Sequence, residues 1–153
     1  MLTGRYAYRI LELIQEAEHS IKVLAYVVNF NMYKRSDKAS LIFYALSEFR
    51  KRKGRVEMIM DYPRAHKPNY NCNKFSARRL KERGIETRFL HKGTSQHAKL
   101  FLFDESIAVF GSHNLTRGSV ISSYDISIII DTEGPVQYIV NLFSDILADS
   151  IEA

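Results

Sequence analysis

His97-Ala98-Lys99-Leu100-Phe101-Leu102-Phe103-Asp104, followed by Gly111-Ser112-His113-Asn114, is the stretch that decides how this chain reads. Its fixed positions form the pattern H-x-K-x4-D-x6-G-S-x-N. Residues two apart on a β-strand point to the same face, so the His97 imidazole and the Lys99 ammonium share one side. Between the halves, residues 98–103 and 106–110 are apolar runs around Asp104-Glu105, which predicts two strands joined by a tight turn. The small polar group Gly111 to Asn114 follows one short hairpin later. The pattern occurs once: no second H-x-K exists in the 153 residues.

Outward from that hairpin, the periodicity alternates between helix and strand. Tyr6, Ile10, Ile14 and Ala17 recur at helical spacing and predict a helix ending near His19-Ser20. Residues 21–28 are β-branched and apolar and predict a buried strand. Residues 29–38 are polar and loop-like. Ser36 or Asp37 can cap a helix whose face is Leu41, Ala45 and Phe49 and which Gly54 stops. Residues 56–61 predict a second strand, 62–74 a loop, 75–83 a basic helix closed by Gly84, and 85–90 a third strand. Residues 124–131 predict a return strand, and Gly134-Pro135 opens a C-terminal helix with proline at its first position. Helices alternating with strands, then a hairpin and a return strand, make an α/β domain with helices covering a mixed sheet.

Composition narrows the class. An apolar fraction of 46% supports a real core, and the length suits one domain. No run of eighteen apolar residues predicts a membrane span. The first residues show no basic segment followed by an apolar one, so no secretory leader is expected. The single cysteine, Cys72, excludes an intramolecular disulfide, and a cytoplasmic compartment is the simplest expectation. The net charge of +5 hides an asymmetry. Residues 50–92 hold fourteen Lys/Arg against four Asp/Glu, whereas residues 118–153 hold six Asp/Glu and no Lys or Arg. A segregated basic stretch is the footprint of a polyanion partner, although solvated helix faces produce the same statistic.

The full pattern resembles the signature of the phospholipase D superfamily, in its single-motif, small-endonuclease form, and every fixed position is filled. The resemblance spans essentially the whole chain. It implies a mixed β-sheet flanked by helices on both faces, in one domain over residues 1–153, and a phosphodiesterase activity that uses no cofactor and no metal. It implies that His97 is the nucleophile that forms a phosphohistidine, that Lys99 neutralises phosphate oxygens, and that Ser112 and Asn114 donate hydrogen bonds to them. Gly111 leaves room for the backbone to come close. The superfamily also uses a second imidazole as general acid, from a second motif copy. With one copy here, the resemblance implies a homodimer with the active site at the twofold interface, where His97 of the second subunit is the acid. Small nucleases of this family orient the histidine with a glutamate shortly after the motif. This chain departs from that with Asp125, one methylene shorter, which is the candidate orienter; its other reading is a solvent-facing aspartate where the last strand begins. Asp104, in the predicted turn, is expected to be scaffold. His113, at the variable position, is expected to point away from Ser112 and Asn114. His19, His66 and His91 show no partner pattern.

The superfamily contains lipases, phosphatidyl-transferases and nucleases, so the motif does not choose the substrate. Three features favour nucleic acid: the short single-motif chain, the basic stretch 50–92, and a loop that mixes cations with aromatic rings. Arg64, Lys67, Tyr70, Lys74 and Arg78 are the candidate substrate-binding residues. No exposed amphipathic insertion segment suggests a membrane partner. A lipid phosphodiesterase and a non-catalytic nucleic-acid-binding module remain the alternatives.

Overall fold

The structure is a computed structural model that describes residues 5–30, 37–62, 69–91, 93, 95–122 and 124–153. Five helices and nine strands occur among them. The elements are α1 (Tyr6–Glu16), β1 (Ser20–Ala25), β2 (Val28–Asn29), α2 (Lys38–Lys51), β3 (Arg55–Met60), α3 (Asn69–Lys81), β4 (Glu86–Leu90), β5 (Lys99–Phe103), β6 (Ile107–Gly111), β7 (Leu115–Thr116), α4 (Arg117–Ser122), β8 (Ser127–Ile130), α5 (Glu133–Ala148) and β9 (Ser150–Glu152).

Seven strands form one sheet in the order β8-β6-β5-β1-β3-β4-β9. β1, β3 and β4 run parallel, joined through helices. The β5–β6 hairpin, β8 and β9 add antiparallel neighbours, which makes the sheet mixed. Alternation along each strand divides the core in two. Ile21, Val23, Val56, Met58, Phe101 and Phe103 join α1 and α2 in the larger cluster. Leu24, Ile59, Leu100 and Leu102 face Val136 and Phe143 of α5 in the smaller one. The sheet is therefore covered by helices on both faces.

The hairpin turn is made by Asp104 and Glu105, both with positive φ (48° and 54°), and closes with the Ser106 N–H donating to the Phe103 carbonyl at 2.9 Å. Two consecutive left-handed residues match the twist of the flanking strands. The Asp104 carboxylate accepts the backbone N–H groups of Glu18, His19 and Ser20 at 2.7–2.8 Å, so it secures the hairpin tip to the start of β1.

Several boundaries differ from the expectations. The first strand ends at Ala25, and Val28–Asn29 instead pairs with β7 in a separate two-stranded sheet. α2 is capped by Asp37, as one of the two candidates, but buries Ala39, Ile42, Phe43, Leu46 and Phe49. Leu41 and Ala45 are only half-buried, because apolar residues surround this helix and its period alone does not choose the face. The left-handed residue after α2 is Lys53, and Gly54 is required because the Phe49 ring fills the space a Cβ would need. α3 starts at Asn69, inside the predicted loop. Its asparagines and Ser76 are poor helix formers, but Asn73 and Ser76 are buried and bonded to backbone groups of other elements, which outweighs local preference. The return strand is limited to Ser127–Ile130. Thr132 occupies the N-cap position of α5 without a side-chain capping bond, which places Pro135 third in the helix, still within the first turn, where its missing N–H costs nothing.

Candidate active site

The site lies at the open end of the β5–β6 hairpin, opposite its Asp104 tip. Lys99 pairs with Gly111 across β5 and β6, and Gly111 pairs with Ser127 across β6 and β8. This register sets the H-x-K strand directly beside the G-S-x-N segment. Gly111 is obligatory there. A Cβ on it would collide with the Ile126 carbonyl and with Ser127, so only glycine lets β8 approach.

His97 is exposed, while Lys99 is buried behind it, 7% accessible. Lys99 Nζ lies 2.9 Å from His97 Nδ1 and 3.5 Å from Nε2, and donates to the His97 carbonyl at 2.6 Å. Tyr26, just after β1, supports both. Its ring centroid is 4.4 Å from that of His97, and Lys99 Nζ lies 5.2 Å from it. Burial pushes the Lys99 ammonium below its ordinary range, and the negative charge of Asp125 partly restores it. The sequence carried no signal for Tyr26, since a lone tyrosine in an apolar strand reads as core.

Asp125 departs from its expected place. No hydrogen bond joins it to His97. Its Oδ1 accepts the Ser112 hydroxyl at 2.8 Å and its Oδ2 accepts the Ser119 hydroxyl at 2.5 Å. The shorter aspartate, two residues before β8, is bound by the hydroxyls beside it. Burial alone would raise its carboxyl; the two hydroxyl bonds, with His113 and Lys99 nearby, outweigh this and hold it below 3.8. Ser112 also accepts the Ile126 N–H at 3.0 Å, and Ser119 accepts the Asn114 N–H at 2.9 Å. Asn114 Oδ1 is buried with no partner. Ser119 was missed by sequence reasoning; it lies five residues after Asn114, within a six-residue helix that no periodicity marks.

His113 is 2% exposed. Its ring stacks on Tyr6 with centroids 4.0 Å apart and planes 3° from parallel, and its Nδ1 lies 2.8 Å from Ser127 Oγ. Burial lowers its pKa, with Asp125 partly opposing, and burial raises that of the Tyr6 phenol. His113 thus braces the G-S-x-N segment against α1. Among the described residues no group of three or more His, Cys, Asp or Glu is assembled to hold a metal ion, and no helix is long and apolar enough to cross a membrane.

Of the candidate substrate-binding residues, Arg64, Lys67 and the side chain of Tyr70 lie outside the described residues. Lys74 and Arg78 are exposed on α3, where Arg78 pairs with Glu82 at 3.3 Å. Asn73 connects that helix to the site. Its amide accepts the Val28 N–H at 2.8 Å and donates to the carbonyls of Tyr26 and Asp61 at 2.8 and 3.2 Å. The Asp61 carboxylate in turn accepts the Gln96 N–H at 2.8 Å, one residue before His97.

A mixed sheet with this register, carrying an imidazole, an ammonium and a G-S-x-N segment at one hairpin end, defines the phospholipase D-like class. The family model described as "Cardiolipin synthase, PLD-like domain" matches residues 10–147, and the chain belongs to that family. Among solved structures it is similar to Nuc, a phospholipase D family member from Salmonella typhimurium. The TM-score is 0.81 at 18% identity, over 98% of this chain and 91% of that one. NucT from Helicobacter pylori follows with a TM-score of 0.77 at 18% identity, covering 98% and 92%. Phosphatidylserine synthase from Haemophilus influenzae aligns with a TM-score of 0.73 at 12% identity, over 94% of this chain and 36% of that one. At these identities the likeness is one of fold. No curated protein matches the chain.

Proposed function

We propose that the chain is a metal-independent phosphodiesterase, a homodimeric nuclease that cleaves DNA or RNA through a phosphohistidine at His97. The observation that carries this reading is the assembly of His97, Lys99 and the Gly111–Asn114 segment at one end of the β5–β6 hairpin, with Lys99 Nζ 2.9 Å from the His97 ring. In the first step a ring nitrogen of His97 bonds to phosphorus. The P–O bond to the leaving oxygen breaks, and that oxygen takes a proton from the protonated His97 of the partner subunit. Water then gives a proton back to that second ring and displaces phosphate from His97. Lys99 and Asn114 stabilise charge on the non-bridging oxygens. No cofactor enters these steps.

Three features support the finer parts. His97 is exposed and therefore accessible from outside the chain. Phe110, Tyr124, Ile126 and Ile128 are exposed on and beside β6 and β8, next to Gly111 and Ser112. An apolar patch at this position suits coverage by a second copy, which the single motif requires. Lys74, Phe75 and Arg78 stand exposed on α3, whose Asn73 is bonded to the segment bearing Tyr26, and cations beside a ring suit a nucleic-acid strand. A cytoplasmic setting goes with this reading.

Cleavage of single- and double-stranded DNA and RNA in excess EDTA tests it. Products should appear with chelator present. Activity lost in EDTA and restored by magnesium would overturn the mechanism. Release of headgroup from phosphatidyl lipids, with nucleic acids left intact, would favour the alternative of a lipid phosphodiesterase or phosphatidyl-transferase; a phosphatidylserine synthase is among the similar folds.

A further inference from the structure

One carboxylate accepts hydrogen bonds from the hydroxyls of both serines that flank the motif asparagine. Ser112 donates to Asp125 Oδ1 at 2.8 Å while its oxygen accepts the Ile126 N–H at 3.0 Å. Ser119, buried at the end of the same network, donates to Asp125 Oδ2 at 2.5 Å while its oxygen accepts the Asn114 N–H at 2.9 Å. A hydroxyl carries a single proton. Neither serine has one left for a phosphate oxygen. The Ser112 N–H is likewise used, donating to the Ile126 carbonyl at 2.9 Å.

We propose that Asp125 and Ser119 are positioning residues that hold the Gly111–Asn114 segment for phosphate, and that Ser112 belongs to this clamp instead of donating to the substrate. The inference rests on the phosphodiesterase reading for its consequences but on the chain's own hydrogen bonds for its structure. It reassigns the aspartate that replaces the family's glutamate. Asp125 acts through Ser112 and the Asn114 backbone, so the nucleophile's ring has no carboxylate partner within its own chain. Among the described motif residues, the donors left for phosphate are Lys99 and the side-chain amide of Asn114.

A double-mutant cycle on cleavage, with amide exchange of the same ¹⁵N-labelled proteins, tests the clamp. Asp125→Ala should lower kcat/KM by about a hundredfold through misplacement of the segment. Ser112→Ala added to it should change the rate by no more than about twofold, because residues of one unit are not additive. Losses that multiply would show Ser112 acting on phosphate directly and overturn the assignment. Exchange reads the clamp without catalysis. The Asn114 amide should be protected in the wild type and exposed in Ser119→Ala and in the near-isosteric Asp125→Asn. Protection unchanged in both would refute the network. If the wild type cleaves nothing but shows this exchange pattern, the proposed activity fails and the clamp stands.

Discussion

The two ends of the β5–β6 hairpin each carry an aspartate within hydrogen-bonding reach, and they do different work. At the tip, Asp104 receives three backbone N–H groups from the segment before β1. At the open end, Asp125 receives two side-chain hydroxyls from the Gly111–Ser119 stretch. A carboxylate that faces backbone donors joins elements. A carboxylate that faces hydroxyls sets the position of side chains, and here they belong to the segment that follows Gly111, the register partner of Lys99. The same residue type thus gives a scaffold at one end of two strands and a site at the other. Motif membership does not separate them: Asp104 is a fixed position of the signature and Asp125 is not.

The sharpest way to separate the ends is to damage one and measure both properties. His97→Ala should reduce cleavage by roughly a thousandfold or more, since it removes the bond-forming atom. His97 is exposed, so thermal melting should stay unchanged. A fully active variant would refute the site. Gly111→Ala should affect both properties. Its methyl meets the Ile126 carbonyl and Ser127, so it should cost about 1–3 kcal/mol in urea unfolding and displace the segment that carries Asn114. Asp104→Ala should affect stability alone. Loss of three backbone bonds should lower stability by about 2 kcal/mol, while kcat/KM, measured where the variant is folded, remains within about threefold of the wild type. A large catalytic loss with native melting would move Asp104 into the site.

The smallest effect is in pH. His113 has a lowered pKa in the folded chain, so the unfolded chain binds a proton first as pH falls below 6.5, and stability declines from there. Asp104 and Asp125 also have lowered values, so the stability they contribute is present above 3.8 and is lost as pH falls through their depressed folded values. Melting temperature against pH should therefore fall in two stages, and Asp104→Ala should weaken the lower one only.

Much of this was legible from residues 97–114. Two apolar runs about Asp104-Glu105 predict the hairpin, and the order of helical and strand segments predicts the sheet, because both signals are local. The two-residue spacing of His97 and Lys99 predicts a shared face, whereas the burial of Lys99 behind His97 is set by the packing around the hairpin. What escaped the sequence depends on contacts between distant segments. β2, β7 and β9 are two or three residues long and exist only through their partners. The start of α3 depends on Asn73 meeting the backbone of Val28, forty-five residues away. The destination of Asp125 depends on Ser119, a small polar residue that no spacing rule marks. The charge asymmetry was visible at once, and its basic part includes α3, where Lys74 and Arg78 face outward.

In the dimeric reading, one motif per chain makes half a site. The measurement that addresses it most directly is the light-scattering mass of the species that cleaves nucleic acid in EDTA. Cleavage should travel with a particle of twice the chain mass. Cleavage that travels with a single chain would contradict it, since one His97 cannot both bond to phosphorus and protonate the leaving oxygen.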